Sequence, residues 1–355
     1  MAPDPQRSST MTLIRGGRVF SPQDLGVRDI LLASGSIAAV AEPSSIVVSG
    51  LEIEIVEASG KTVIPGFVDS HVHILGGGGE GGPTSRAPEF ALETAVSSGV
   101  SSLIGLLGTD CTTRHLESLL AKAYSLEEEG VSTYVMTGGW GVPALSLTGS
   151  VQSDLILIDK AVGVGELAIA DSRSTQPTID ELAKVAAECR LGGLIGKKAG
   201  ILHIHVGTDG SNLELVHRLV ETNGVPTAQI IPTHINYSTG LLEDSLAFIG
   251  GGGRINLNAF EDPRSEEHAL SVASAIWFYQ EKNISLDKIS VSSVALGSLA
   301  RFDEMGRMTG FSVAGQSSLL ANFRFLLENK IVDLTSATQM FSTNPAISYR
   351  LDQKG

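Results

Sequence analysis

The rhythm of hydrophobic and polar positions changes near residue 62. From Thr12 to about Thr62, short apolar runs such as TLIRGGRVF, DILLASGSIAAVAE and LEIEIVEA are separated by Gly and Ser. The period-2 alternation of LEIEIVE predicts a half-buried strand. This stretch reads as a small N-terminal β module (residues 12–62), preceded by a disordered leader over residues 1–11. From Lys61 onward, apolar runs of strand length alternate with helical patterns. TVIPGFVDSHVHI, SSLIGLL and STYVMTGG are followed by ELAIAD (166–171), ILHIHVG (201–207), TAQIIPTHI (227–235), RINLNA (254–259) and ISVSSV (289–294). Helical patterns such as RHLESLLAKAYSLEEEG, IDELAKVAAECR and EEHALSVASAIWFYQEK fill the gaps. Eight such strand–helix units over roughly 250–290 residues predict an α/β fold, a (β/α)8 TIM-type barrel over 63–355, with the active site at the C-terminal strand ends. A doubly wound sheet is the competing arrangement.

Composition narrows the function classes. The 355 residues are 42% hydrophobic and 18% charged, too apolar for a disordered chain. With 25 Lys+Arg against 39 Asp+Glu the net charge is −14, which argues against nucleic acid or an anionic membrane surface as partner. No run reaches ~18 apolar residues, so no membrane span is expected. MAPDPQRSST lacks the apolar core of a secretory signal. Cys111 and Cys189 are no disulfide framework and suit a reducing compartment, so a cytoplasmic location is expected.

Candidate chemistry lies in the histidines. Five of the eight fall near predicted strand ends: His71, His73, His203, His205 and His234. Alternate strand residues face one side, so His71 and His73 both point to the barrel mouth and Val72 points away. A His-x-His pair alone is weak evidence for a metal, because two polar residues at a strand end give the same pattern. Two further histidines at later strand ends, with the carboxylate of Glu166 between, make a plausible two-metal set for Zn²⁺ or a similar ion. A carboxylate can bridge ions ~3.5–4 Å apart that share a water. His203 reads as a residue behind the ligands. His115, His217 and His268 lie in helical patterns. Gly76, Gly78 and Gly81 fit G-x-G-x-x-G, but the preceding histidines, Pro83 and the lack of an acidic residue at the usual ~20-residue offset argue against a dinucleotide site.

The motifs PGFVDSHVH (65–73), GGGGEGGPTSR (76–86), GLLGTD (105–110), GELAIADSRS (165–174), HIHVG (203–207) and PTHIN (232–236) together resemble the isoaspartyl (β-aspartyl) dipeptidases of the metal-dependent amidohydrolase superfamily. The resemblance runs from about residue 12 to 355. It implies that His71 and His73 bind a first metal, that His205 and His234 bind a second, and that Glu166 bridges them, with two Zn ions expected. It further implies that Glu80 recognises a substrate amino group and that Thr109 and Ser298 contact substrate. Arg173 would face a free carboxylate, which its planar fork suits. A dipeptide-like small molecule is the implied substrate and a homo-oligomer the expected assembly.

Three positions depart from the family pattern. The family ends its eighth strand with Ser-Ser-Asp-Gly, and that aspartate moves the proton of the attacking water. Here the stretch reads Ser292-Ser293-Val294-Ala295. Valine moves no proton, and losing a general base costs about 10²–10⁴-fold. Asp303 and Glu304 belong to the following loop and are poor substitutes. A carbonyl-polarising tyrosine corresponds to Trp140, and a second carboxylate-binding arginine to Tyr237. The family also continues beyond residue 355 with strands that complete its small β module. The leading expectation is an amide- or isopeptide-hydrolysing amidohydrolase. The alternatives are a non-hydrolytic metal enzyme (lyase, cyclase, isomerase or decarboxylase) and a catalytically inactive metal- or ligand-binding relative.

Overall fold

The structure, a computed structural model, describes residues 11–354 except 267–268, 303–304, 306–307 and 316. His268, Asp303, Glu304 and most of the expected leader therefore lie outside the described residues. The chain divides into two compact units, the first ending at Pro65 and the second beginning at Gly66.

The first unit is one sheet. Strands β1 (Met11–Phe20), β2 (Asp24–Ala33), β3 (Ser36–Ala41) and β4 (Ile53–Glu57) lie in the order β3-β2-β1-β4, and β5 (Thr62–Val63) also pairs with β1. The β1–β2–β3 ladders are antiparallel, whereas β4 and β5 run parallel to β1. The LEIEIVE stretch does form β4, but Ile55 and Val56 both stay exposed. The expected half-burial fails because adjacent residues point to opposite faces and both stay exposed, so neither face of β4 is covered.

Among the described residues, the second unit carries eight parallel strands. They are β6 (Phe67–Val72), β7 (Val100–Gly105), β8 (Ser132–Thr137), β9 (Ala161–Ile169), β10 (Ile201–Val206), β11 (Ile230–Thr233), β12 (Ile255–Asn258) and β13 (Ile289–Ser292). The first six form one curled sheet in sequence order, and β12 pairs with β13. A parallel bridge joins Val72, at the end of β6, to Ala295, just past β13. Helices separate most of the strands, which makes the fold α/β. The longest, Ile179–Gly196, starts at a capping box in which Thr178 and Glu181 satisfy each other's backbone N–H groups. An antiparallel hairpin of β14 (Ser298–Phe302) and β15 (Met308–Val313) follows.

β6, β9 and β10 are buried along their whole length, as parallel strands covered on both faces require. Inside the curl, Val68, Ile104, Met136, Val162, Ile201 and Ile231 pack against Ala346, Tyr349 and Leu351 of the C-terminal segment. Phe67 packs its ring against Phe323 and Phe341, with centroids 5.0 and 5.6 Å apart.

One strand boundary corrects the sequence reading. The run ELAIAD was expected to start at Glu166, but β9 starts five residues earlier and Glu166 lies well inside it. Gly163 and Gly165 hid this start, because glycine is unfavourable in a strand interior. Here they are needed for the close approach of β10. A Cβ at Gly163 would stand 2.4 Å from the Ile201 carbonyl oxygen, and one at Gly165 2.5 Å from that of His203.

Candidate metal centre

The C-terminal ends of the strands converge on one carboxylate. Glu166, on β9, is almost fully buried. His71 is on β6 and His73 follows it; His205 is on β10; His234 follows β11. Four imidazole nitrogens approach the Glu166 carboxylate: His205 Nδ1 at 3.2 Å, His234 Nε2 at 3.4 Å, His73 Nε2 at 3.5 Å and His71 Nε2 at 3.6 Å. His73 meets Oε1 and the other three meet Oε2. All five residues that the sequence singled out as ligands thus come together. His234 achieves this outside the expected strand. It sits in the left-handed region (φ 68°), held by Asn236, whose side chain donates to the Asn258 and Leu270 carbonyls.

This donor set fits a metal ion. His71 Nε2 and His73 Nε2 lie 3.3 Å apart. Two Zn–N bonds of ~2.0–2.1 Å at a tetrahedral angle span about that distance. His71, Glu166 and His234 likewise offer ligand atoms mutually close enough to share one ion. The charge states agree as well. Burial pushes His73 down to about 4, and burial with the neighbouring His205 pushes His234 down to about 3, so both are neutral donors at pH 7. Burial also works against the Glu166 anion, but His71, with the hydrogen bonds of His205 and His234, outweighs it and holds the carboxyl well below its usual range. His205 shifts the other way: burial works against its cation, but the hydrogen bonds to Asp171 and Glu166 raise it, so it must give up a proton to ligate a divalent cation.

Groups behind the imidazoles orient three of them. His71 Nδ1 meets His203 Nε2 at 2.9 Å, and His203 Nδ1 meets the Tyr349 hydroxyl at 2.6 Å. When each Nδ1–H donates along this relay, His71 Nε2 keeps its lone pair for a metal. His203 is thus the supporting residue that the sequence suggested. His234 Nδ1 donates to Asn258 Oδ1 at 2.8 Å. His205 Nε2 donates to Asp171 Oδ2 at 3.1 Å. Asp171, Asn258 and Tyr349 were not foreseen, although Asp171 lies inside the motif GELAIADSRS. A carboxylate just past the end of the strand carrying Glu166 was the available signal. Tyr349→Phe should leave the buried His203 Nδ1–H without its acceptor. It is expected to weaken metal retention about tenfold in competition with a chelator. Unchanged retention would show that the relay does not orient His71.

The residues expected to meet substrate line the same pocket. It is bounded by Thr109, Trp140, Arg173, Tyr237, Val294 and Ser298 together with His73, Glu166, His205 and His234. Glu80 joins them through Oε1, which accepts from Ser298 at 2.6 Å, Thr109 at 2.8 Å and Arg173 Nη1 at 3.5 Å. Glu80 Oε2 is buried without a partner among the described residues. Arg173 also bonds Asp171 through Nε (3.0 Å) and Nη2 (2.7 Å). Burial works against the Asp171 anion, but bonds from His205 and Arg173 hold its carboxyl far below the usual range. Trp140 packs against His205 with centroids 4.4 Å apart, and its Nε1–H donates to the Arg173 carbonyl at 3.0 Å. That N–H is therefore already engaged. Tyr237 stacks on His234 at 4.8 Å and 7°.

Val294 is buried against the pocket in the left-handed backbone region, φ 53°. That conformation is an outlier for a β-branched residue, whereas Asp and Asn tolerate it. Asp69 holds the segment by accepting from the Ser293 N–H at 3.1 Å and from its hydroxyl.

No family model matches the chain. A D-hydantoinase of Streptomyces coelicolor is 40% identical over 67 residues, 19% of this chain and 14% of that protein, so the chain spans well under two thirds of that curated relative. The solved dihydropyrimidinase of Brevibacillus agri shares the fold, with TM-score 0.60 at 13% identity over 95% of this chain and 81% of that one. The β-aspartyl dipeptidase of Fervidobacterium islandicum AW-1, solved with the β-Asp-Leu dipeptide, is 40% identical with TM-score 0.91, covering 98% of this chain and 89% of that one. At that identity and coverage, the chain belongs to the β-aspartyl dipeptidase family of the amidohydrolase superfamily.

Proposed function

We propose that this chain is a metal-dependent amidohydrolase that cleaves the isopeptide bond of β-aspartyl dipeptides. The observation that carries the reading is the single buried carboxylate of Glu166 within 3.2–3.6 Å of four imidazole nitrogens. His71 and His73 would hold one ion and His205 and His234 a second, with Glu166 shared; an imidazole-rich set suits Zn²⁺. Such ions supply Lewis acidity toward a carbonyl and toward water. The parallel strands β6–β13 and the Val72–Ala295 bridge support a closed (β/α)8 barrel.

The protein's own groups bind and orient the substrate. Arg173 keeps its Nε–Nη2 edge on Asp171 and offers Nη1 and the second Nη2 proton to the free α-carboxylate of the aspartyl residue. Glu80 keeps Oε2 for the α-ammonium while Thr109 and Ser298 fix Oε1. Trp140 walls the pocket and holds Arg173 through its carbonyl instead of polarising the scissile bond. Tyr237 leaves the site one cation poorer than the family pattern. The non-hydrolytic and inactive readings rest on Val294, Trp140 and Tyr237, and the relatives described above do not favour them.

The test is release of leucine from β-Asp-Leu by zinc-loaded protein, with α-Asp-Leu as control. A median enzyme turns over ~10 s⁻¹. A missing general base lowers the expectation by ~10²–10⁴, to on the order of 10⁻³–10⁻¹ s⁻¹, selective for the β-linked dipeptide. No metal-dependent release above background would reject the reading.

A further inference from the structure

Asp171 belongs to neither the expected metal set nor the expected substrate set, yet it touches both. Its Oδ2 accepts from His205 Nε2 at 3.1 Å and from Arg173 Nη2 at 2.7 Å. Its Oδ1 accepts from Arg173 Nε at 3.0 Å and from the Arg173 backbone N–H at 2.8 Å. One oxygen thus serves the metal-facing histidine and the substrate-facing arginine together. The backbone is shaped for this. Ala170, at φ 53°, turns the chain at the end of β9. Gly207, after β10, leaves the room, since a Cβ there would stand 2.6 Å from the Asp171 Cβ.

We propose that Asp171 is the positioning residue that locks the second metal subsite to the carboxylate clamp, aiming His205 Nδ1 at the ion while holding the Arg173 fork in register for the substrate. This rests on the β-aspartyl hydrolase reading and adds a linkage to it: neither His205 nor Arg173 can swing without disturbing the other's partner. A carboxylate accepts from both sides at once. An amide in its place has one accepting oxygen, and its NH₂ faces a donor.

The experiment compares wild type, Asp171→Asn and Asp171→Glu. Zinc retention is read by chelator competition, and L-aspartate binding to the zinc-loaded protein by calorimetry. Neither readout depends on turnover. Asp171→Asn is expected to weaken retention of the second zinc by 10–100-fold and L-aspartate binding by about tenfold or more, with an unchanged far-ultraviolet circular dichroism spectrum. Asp171→Glu restores the charge but shifts it by one methylene, so it should fall between the two in both assays. If the Asn variant does not fold, the Glu variant alone carries the test. A loss confined to zinc, or confined to L-aspartate, overturns the linkage. Wild-type protein that retains two zinc ions but binds no L-aspartate overturns the β-aspartyl reading and the Arg173 half of the proposal, while the zinc arm still decides the His205 half.

Discussion

Val294→Asp is expected to raise hydrolysis of β-Asp-Leu by about 10²–10⁴-fold, the usual contribution of a positioned general base. Three observations favour the gain. The side chain lines the pocket bounded by His73, Glu166, His205 and His234. The backbone at 294 is already in the left-handed region, at φ 53°, where aspartate is accepted more readily than valine. The segment is fixed by Asp69 and by the Val72–Ala295 bridge, so a new side chain inherits a defined direction. Initial rates of leucine release by the two zinc-loaded proteins measure the effect. A folded, metal-loaded variant no faster than wild type would show that the pocket is no longer arranged for peptide hydrolysis.

Glu166→Gln should have the opposite and more complete effect. The four imidazole nitrogens would then face a neutral amide in place of an anion, with no buried negative charge among them to balance a divalent cation. Changes behind metal ligands commonly cost 10–100-fold in affinity, and losing the shared carboxylate should exceed that. At least one ion is expected to be lost on gel filtration without added metal, and leucine release should fall to background. Full metal content in this variant, measured by elemental analysis, would mean that Glu166 is not the shared ligand.

The sequence made the four candidate histidine ligands legible because they sit at or just past strand ends, where apolar periodicity and histidine placement can be read together. It also exposed the position of Val294 through Ser292-Ser293. What it hid follows from physical causes. Gly163 and Gly165 obscured the start of β9, because their purpose is the close passage of β10, a contact between segments far apart in sequence. His234 lies past its strand in a left-handed turn that periodicity does not register. Asp171, Asn258 and Tyr349 act through hydrogen bonds to imidazoles from distant parts of the chain, and no local pattern announces such pairings. Glu80 and Arg173 were read as separate substrate contacts, whereas the structure joins them in one network with Thr109, Ser298 and Asp171.

The central claim is that two ions share Glu166. Anomalous scattering at the zinc edge, from crystals of zinc-loaded protein, tests it most directly. The account predicts two peaks ~3.5–4 Å apart, one beside His71 and His73 and the other beside His205 and His234, with the Glu166 carboxylate between them. A single peak, or none at these side chains in zinc-replete protein, would contradict it.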